Sequence, residues 1–413
     1  MELVDHLFRR EAGRMVATLT RALGSRHLQL AEEAVQDALL VALQQWPFRG
    51  VPDDPPAWLF RVAKNRSLDR LRRERTASLK APAVAAGTHR LQPPPESLLA
   101  GEPAALEDDQ LGLMFLTCDP TLPRDTAVAL TLQVVGGFGP GEIARALLAD
   151  RRAVQQRVVR AKRQLRETRA AFGVPGGPGL AVRLDAVLAV IYLMFNEGYA
   201  ATAGDGLLRE DVAAEALRLA RLVTRETATA VPRAWALRAL LALQASRFPA
   251  RLGAAGELAL LADQDRGRWD RGLIAEGLGA LDHSATGGEV SAWHLEAGIA
   301  ACHAAASSWA ATDWPQIVAL YDELAVLTAS PVVLVNRAIA RSQVDGPLAG
   351  IAAIEAIGDH PALARYHLRA AALGELWRQA GDQARAARWF REALALAGSA
   401  PERRFLAGRL EGL

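Results

Sequence analysis

The sequence predicts an all-α protein, and three observations support this fold class. Apolar residues make up 51% of the 413 residues and aromatic residues only 6%, with alanine and leucine dominant. Few stretches alternate between apolar and polar residues with the period of a strand. Apolar stripes with the period of a helix recur along the chain instead. A chain of this length has room for two or three domains with sizeable cores.

The charge of the chain is distributed unevenly. The formal net charge is +2, but residues 1–179 hold 25 basic and 20 acidic residues, whereas residues 180–413 hold 23 and 26. Because the basic residues of the first part are clustered, they favour a nucleic-acid partner. Only Cys118 and Cys302 occur, so we expect no disulfide framework and a reducing, cytoplasmic setting. The first residues lack a basic n-region, and we expect neither a signal peptide nor a membrane span.

Residues 1–75 form the first predicted module. A helix from Leu28 to Trp46 carries an apolar stripe of Ala31, Val35, Ala38, Leu39, Ala42, Leu43 and Trp46. Its other face is acidic and amide-bearing, with Glu32, Glu33, Gln36, Asp37 and Gln44. A proline-rich loop from Pro47 follows, in which Asp53 and Asp54 can cap a third helix over about 57–75. That helix opens a segment with eight basic residues between positions 61 and 80, which suits single-stranded or melted DNA.

A helix-turn-helix is predicted from Pro140 to Arg169. Pro140 suits the first position of one helix, and Asp150 is a good N-cap for the next. On the second helix an apolar stripe comprises Val154, Val158, Ala161 and Leu165. The opposite face carries Arg152, Gln156, Val159, Arg160 and Arg163. One face therefore suits a protein core and the other the major groove of DNA, although a solvated basic helix is the simpler alternative.

Proline and glycine punctuate the rest of the chain. Residues 76–106 lose helical periodicity and read as a linker, and residues 173–179 form a second break. From residue 180 onward the chain is helical and repeats weakly. Tyr321, Ile354 and Phe390 lie 33 and 36 residues apart, which indicates helical hairpins of the tetratricopeptide type from about residue 313.

No enzyme or metal signature stands out in the sequence. His294, Cys302 and His303, with His283 upstream, have no spacing typical of zinc sites. There is no phosphate-binding glycine loop, nucleophile elbow or paired-carboxylate motif. We therefore expect no catalytic residues, no metal and no cofactor.

Three segments resemble extracytoplasmic-function sigma factors of the sigma-70 family. The run from Glu33 to Leu39 and the segment from Pro56 to Arg73 are similar to region 2, and the helix-turn-helix ending at Arg163 is similar to region 4. Further runs starting at Tyr192, Ala262 and Asp313 resemble the subgroup with a long C-terminal tetratricopeptide-like extension. The resemblance implies region 2 at 1–75, a linker at 76–106, region 4 at 107–172 and a helical regulatory extension at 180–413.

The resemblance also implies partners and roles for particular residues. Core RNA polymerase, through its β′ clamp and β subunits, would meet Glu32, Glu33, Gln36 and Asp37. The −10 element of promoter DNA would meet Trp46, Phe48, Trp58, Arg61, Lys64, Asn65 and Arg72. The −35 element would meet Arg151, Arg152, Gln155, Gln156, Arg157, Val159, Arg160, Lys162 and Arg163. A regulatory protein or ligand would act on the extension, and no membrane is expected.

Two other functions stay open at this point. A one-component regulator, with a ligand-sensing helical solenoid and an operator-binding helix-turn-helix, leaves residues 28–75 without a purpose. A protein-interaction scaffold, in which the basic helices are incidental, is a third alternative.

Overall fold

The computed structural model describes residues 2–80, 106–147, 149–168, 172–199, 210–251, 259–398 and 400–413. Within these ranges the chain forms helices and no strand, so the predicted all-α class is confirmed. The chain divides into two compact units, Met1–Met194 and Phe195–Leu413. This division falls inside a helix and not at the glycine- and proline-rich break at 173–179, where the sequence places it.

Among the described residues, eight helices belong wholly or largely to the first unit. They are α1 (Glu2–Leu23), α2 (Leu28–Arg49), α3 (Pro55–Lys80), α4 (Leu106–Thr117), α5 (Arg124–Val134), α6 (Pro140–Ala146), α7 (Arg151–Thr168) and α8 (Gly179–Tyr199), with a 3₁₀ turn at Ser25–His27. The predicted third helix is longer than expected, because it begins at Pro55 and continues to Lys80. Most of the predicted linker, residues 81–105, lies outside the described residues.

Helices α1, α2 and α3 pack together around small and branched side chains. The predicted stripe of α2 is buried at six of its seven positions, but Leu43 is exposed. Pro47 lies within the last turn of α2 and does not start a loop; Gly50, at φ 80°, follows the helix and donates its N–H to the Trp46 carbonyl. Asp54 accepts a hydrogen bond from the Ala57 N–H at 3.0 Å, which confirms its predicted capping role.

The two predicted modules, 1–75 and 107–172, pack against each other inside the first unit. Asp109 of α4 is buried. Its carboxylate accepts a hydrogen bond from the Thr18 hydroxyl at 2.9 Å and forms an ion pair with Arg21 at 2.9 Å. Gly13 of α1 lies so close to the end of α5 that a Cβ atom there would be 2.3 Å from the Val135 carbonyl oxygen. Side chains larger than hydrogen at position 13 would therefore force the modules apart.

Cys118, at the end of α4, lies in the core of the second module. Its side chain is 3% exposed, and its Sγ atom lies 3.7 Å from the Thr131 hydroxyl of α5. Burial raises the pKa of the Cys118 thiol to about 12, and the hydrogen bonds from Thr131 and Thr117 only partly oppose that effect. The thiol is therefore protonated and inert in the folded state.

Helix α8 is anchored in the first unit by its first half. Arg183 pairs with Asp119 at 2.9 Å, and Leu184, Val187 and Leu188 are buried. The window 179–196 has a mean hydropathy of 1.6, so α8 is long and apolar enough to cross a membrane by length and composition, which the sequence reading overlooked. A helix in the core of a protein can have the same length and composition, and 44% of this window is buried.

Where the structure describes it, the second unit consists of helices and short 3₁₀ turns. The helices are α9 (Glu210–Arg225), α10 (Pro232–Ala245), α11 (Phe248–Arg251), α12 (Arg271–Ser284), α13 (Ala292–Ala305), α14 (Trp314–Thr328), α15 (Pro331–Asp345), α16 (Pro347–Glu355), α17 (His367–Gln379), α18 (Gln383–Leu396) and α19 (Ala400–Glu411). The 3₁₀ turns are Arg266–Arg268 and Pro361–Leu363.

The last six helices form three successive pairs. Helices α14, α16 and α18 begin 33 and 36 residues apart, the same spacings that separate Tyr321, Ile354 and Phe390. Each of these three residues lies seven positions after the start of its helix. The weak repeat of the sequence therefore corresponds to a repeat of helix pairs.

The segment from Ala262 to Asp270 has a structural role. Arg266 is buried and donates hydrogen bonds to the carbonyls of His303 and Ala306 at the end of α13 and to the Thr312 hydroxyl. Its guanidinium also lies over the buried Trp269 ring, at 4.9 Å from the ring centroid. One arginine thus satisfies helix-end carbonyls that would otherwise be unpaired.

The histidines considered as metal ligands take part in other contacts. His294 exchanges hydrogen bonds with Ser291 in a capping box at the start of α13, and the His283 ring stacks on Trp235 at 4.6 Å. Among the described residues, no group of three or more His, Cys, Asp or Glu side chains is arranged to hold a metal ion.

Candidate nucleic-acid interface

Helix α7 has one buried and one exposed face, as the sequence predicts. Val154, Val158, Ala161 and Leu165 are buried. The Asp150 carboxylate accepts hydrogen bonds from the N–H groups of Arg152 and Ala153, at 2.9 and 3.0 Å, and so fixes the start of the helix. Seven of the nine side chains proposed to meet DNA are exposed: Arg151, Arg152, Gln155, Gln156, Val159, Arg160 and Arg163.

The outward face of α7 has the composition of a DNA-reading helix. It combines arginine and glutamine donors with Val159, whose side chain is 68% exposed. Arginine and glutamine can pair with guanine and adenine edges, and an exposed apolar group can contact a thymine methyl. Arg163 forms a surface pair with Glu167 at 3.0 Å, a weak interaction that a phosphate can replace.

Two of the proposed DNA contacts of α7 are less accessible. Arg157 is half-buried, and the Lys162 ammonium pairs with the Glu32 carboxylate of α2 at 2.8 Å. Gln133 of α5 also donates to Glu32, at 3.3 Å. The sequence suggests that Glu32 belongs to a free acidic face. In the structure Glu32 is buried, and its carboxylate joins the two modules. In this arrangement Lys162 is committed to protein and not to phosphate.

A second cationic surface lies on α3. Trp58, Arg61, Asn65 and Arg72 share one face of this helix, since positions i, i+3, i+7 and i+14 lie within about 60° of each other. Arg61, Asn65 and Arg72 are exposed, Trp58 is half-buried and Lys64 is half-buried. The face therefore offers cations and an amide beside the edge of an aromatic ring.

The aromatic residues at the start of this surface differ in accessibility. Trp46 is only 6% exposed and packs edge-on against Trp58, with ring centroids 5.6 Å apart. Its placement corrects the expectation that Trp46 presents its ring to DNA, because in this conformation the ring is part of the core. Phe48, in the last turn of α2, is 89% exposed and leads directly into the loop before α3. An aromatic ring this exposed next to a cationic helix is a suitable platform for an unstacked base.

The exposed face of α2 is more apolar than predicted. Gln36 and Asp37 are exposed, whereas Glu33 is half-buried and pairs with Arg70 of α3. Leu40 is 56% exposed and, with Leu43, it continues the face of Gln36 at positions i+4 and i+7. The sequence reading missed Leu40, although its position outside the apolar stripe was a visible signal. A mixed face of leucine, glutamine and aspartate is typical of protein–protein contacts.

Comparisons with known proteins match the same parts of the chain. Residues 7–77 match the family model for sigma-70 region 2, and residues 113–165 match the model for sigma-70 region 4. Residues 183–285 match a family of unknown function, DUF6596. An uncharacterized protein of Rhizobium meliloti (strain 1021) is 38% identical over 417 aligned positions, which cover 97% of this chain and 95% of the relative. No solved structure gave a significant match.

These matches and the two cationic helices define a helical, DNA-binding transcription factor. The chain belongs to the same family as the rhizobial protein, and its region 2 and region 4 domains make it a sigma factor of the sigma-70 family, with a role in promoter recognition. Its partners are core RNA polymerase and promoter DNA.

Proposed function

We propose that this chain is a cytoplasmic sigma factor of the extracytoplasmic-function type, whose tetratricopeptide-like extension regulates it. In this proposal α2 docks on the β′ clamp of the polymerase, α3 and the loop before it open and hold the −10 element, and α7 reads the −35 element. The observation that carries the proposal is the exposed stripe of arginine and glutamine along α7, opposite a fully buried apolar stripe.

The docking surface follows from the exposed face of α2. We place it at Gln36, Asp37, Leu40 and Leu43, because Glu32 is buried and Glu33 is engaged by Arg70. Exposed leucines supply apolar area, and the aspartate supplies charge that selects a basic partner surface.

The −10 surface follows from α3 and its preceding loop. Arg61 and Arg72 are placed to follow the phosphates of a separated strand, while Phe48 and Asn65 are placed to meet a base. Aromatic stacking and cation tracking together bind single-stranded DNA with little sequence preference, so the sequence preference at this site comes from polar groups such as Asn65.

The packing of region 4 on region 2 indicates that the free chain is closed. Lys162, a proposed phosphate contact, is bound to Glu32 of region 2. We propose that engagement with the polymerase separates the two regions, so that α3 and α7 reach separate promoter elements. The free chain then binds promoter DNA poorly.

A transcription assay with core polymerase and a randomised promoter library tests this function. The unaltered chain is expected to select one pair of −35 and −10 motifs. Arg160→Ala is expected to relax selection at one or two −35 positions by roughly 5- to 150-fold, the effect of losing about 1–3 kcal/mol of base discrimination. Arg124→Ala, which removes an exposed arginine elsewhere in the same unit, is the matched control.

Docking is tested separately by co-purification with core polymerase. Leu40→Ala and Asp37→Arg are expected to weaken association at least tenfold, whereas Leu348→Ala, an exposed leucine of the second unit, leaves it unchanged. A holoenzyme with no promoter selectivity beyond that of core polymerase would refute the function. Specific operator binding by a dimer without polymerase would favour a one-component regulator instead.

A further inference from the structure

The second unit contains a cavity of about 480 Å³ among its last helix pairs. Helices α14, α15, α17 and α19 supply most of its walls, with contributions from the end of α13 and from residues 260–262. This volume lies in the range of small-molecule binding sites, about 300–1,000 Å³. A single compact molecule fits it, whereas a peptide helix requires a longer groove.

An aromatic corner forms one wall of the cavity. The His303 ring stacks parallel to Trp309 and meets Trp314 edge-on, and the two tryptophan rings are 4.5 Å apart. Burial lowers the pKa of His303 to about 4, and the charges of Arg247 and Arg266 add to the effect. The imidazole is therefore uncharged at neutral pH and is part of an apolar wall.

Tyr321 and Asn336 line the cavity with polar groups that have no partner among the described residues. The Tyr321 hydroxyl and the Asn336 side-chain amide make no hydrogen bond to any of the residues that the structure describes. Burial, with smaller contributions from Glu296 and Tyr366, raises the pKa of Tyr321 to about 12, so the phenol keeps its proton. Unpaired polar groups in an otherwise apolar cavity are typical of groups that orient a ligand.

Each charged side chain that lines the cavity has a partner of opposite charge, and the Arg409 guanidinium lies 3.5 Å from Asp263 and 3.9 Å from Glu375. Glu375 accepts hydrogen bonds from Arg378 and Gln379, at 2.6 and 3.1 Å. Burial opposes ionisation of Glu375, but these donors outweigh it and hold its pKa below the ordinary value. His367 lies 3.4 Å from the Glu402 carboxylate. A charged ligand would have to be desolvated here without a free counter-charge.

We propose that this cavity binds one uncharged, largely apolar small molecule, of about 15–25 non-hydrogen atoms, whose hydrogen-bonding group meets Tyr321 and Asn336. Its apolar body lies against His303, Trp309 and Trp314. The site goes beyond the proposed function, because binding can be measured without transcription and does not depend on promoter recognition.

A pair of matched fluorescent probes tests the proposal on the full chain. N-phenyl-1-naphthylamine is uncharged and carries one N–H donor, and 8-anilinonaphthalene-1-sulfonate has the same rings with an added sulfonate. The uncharged probe is expected to saturate at one molecule per chain and to bind at least tenfold more tightly than the sulfonate. Absence of saturable binding, or equal affinity for the two probes, would overturn the proposal.

Two substitutions locate the binding in this cavity. Ala372→Phe fills the space beside Leu376 and is expected to weaken binding of the uncharged probe at least tenfold, and Asn336→Leu several-fold. Ala384→Phe places the same ring at an exposed position of α18 outside the cavity and should leave the affinity unchanged. The Asn336 side chain makes no hydrogen bond to the described residues, so Asn336→Leu is expected to fold. It therefore tests the site even if Ala372→Phe fails to fold. Unchanged affinity in a folded Asn336→Leu chain, or in both variants, refutes the assignment.

Discussion

At the scale of single residues, burial determines which charges and rings are available for chemistry. Trp46 and Phe48 are two positions apart in α2, yet one is 6% exposed and the other 89%. Glu32 and Asp37 both lie on the face that the sequence marks as acidic, yet only Asp37 is exposed. Solvent exposure therefore reduces the number of residues that can meet DNA or polymerase, compared with the sets that the sequence proposes.

His303 makes the stability of the second unit depend on pH. Its pKa is about 4 in the folded chain and about 6.5 when unfolded, so the unfolded chain binds more protons between these values. The resulting stability is present above pH 6.5 and is lost as the pH falls toward 4. At pH 5 the loss is about 2 kcal/mol, which corresponds to a lowering of the thermal midpoint by about 4–8 °C.

Calorimetry at pH 7.5 and pH 5 checks this prediction. His303→Phe keeps an aromatic ring beside both tryptophans and loses no hydrogen bond at Nδ1, which is unpaired in the structure. The thermal midpoint of that variant should change less with pH than that of the unaltered chain. Equal changes in both chains would contradict the assignment to His303.

At the scale of helices, the sequence predicts the features within one helix, such as its buried stripe and its cap, better than the contacts between distant helices. The buried stripe of α7 and the Asp150 cap follow from local rules of spacing and capping, and both are present. The register of Tyr321, Ile354 and Phe390 is also local to each helix pair. The Lys162–Glu32 pair joins residues 130 positions apart, and no periodicity in the sequence encodes such a contact.

Glycines show where helices approach closely. On α12, a Cβ atom at Gly277 would lie 2.6 Å from the Leu243 side chain and 3.2 Å from the Ala239 carbonyl of α10, whereas Gly279 on the same helix faces open space. Gly277→Ala is expected to destabilise the second unit by about 1–3 kcal/mol, because α10 and α12 must move apart. Gly279→Ala should stabilise it by about 0.5–1 kcal/mol through its better helix propensity.

Thermal midpoints of the two alanine variants test this pair. The thermal midpoint is expected to fall in Gly277→Ala and to rise in Gly279→Ala. A general effect of an added methyl group would change both midpoints in the same direction. A midpoint for Gly277→Ala at or above that of the unaltered chain would show that α10 and α12 tolerate the extra atom.

At the scale of the whole molecule, the main departure from the sequence expectation is the contact between regions 2 and 4. A linker rich in proline suggests separate modules, but Asp109, Gly13 and the Lys162–Glu32 pair bring them together. The sequence contains each of these residues without indicating that they meet.

The closed state is expected to depend on Glu32 and not on its neighbour Glu33. Glu32→Gln weakens the bond to Lys162, whereas Glu33→Gln alters a pair with Arg70 that is internal to region 2. Hydrogen exchange in α7 should accelerate about tenfold in Glu32→Gln, the effect of losing roughly 1.4 kcal/mol from a charge-assisted hydrogen bond. Glu33→Gln should leave the exchange of α7 unchanged.

Duplex binding by the free chain provides a second readout. Glu32→Gln is expected to increase affinity for duplex DNA several-fold, because α7 is released more often while its cations are retained. If both variants bind and exchange like the unaltered chain, the ion pair does not hold the regions together.

The buried thiol of Cys118 can be used to follow the opening of region 4. A reagent that needs a thiolate reaches this atom only when the surrounding core opens, because the closed site keeps the sulfur protonated and 3% exposed. The rate at which Cys118 is alkylated therefore measures how often the core of region 4 opens in the intact chain. The protein thus carries an intrinsic kinetic probe, which requires no introduced label.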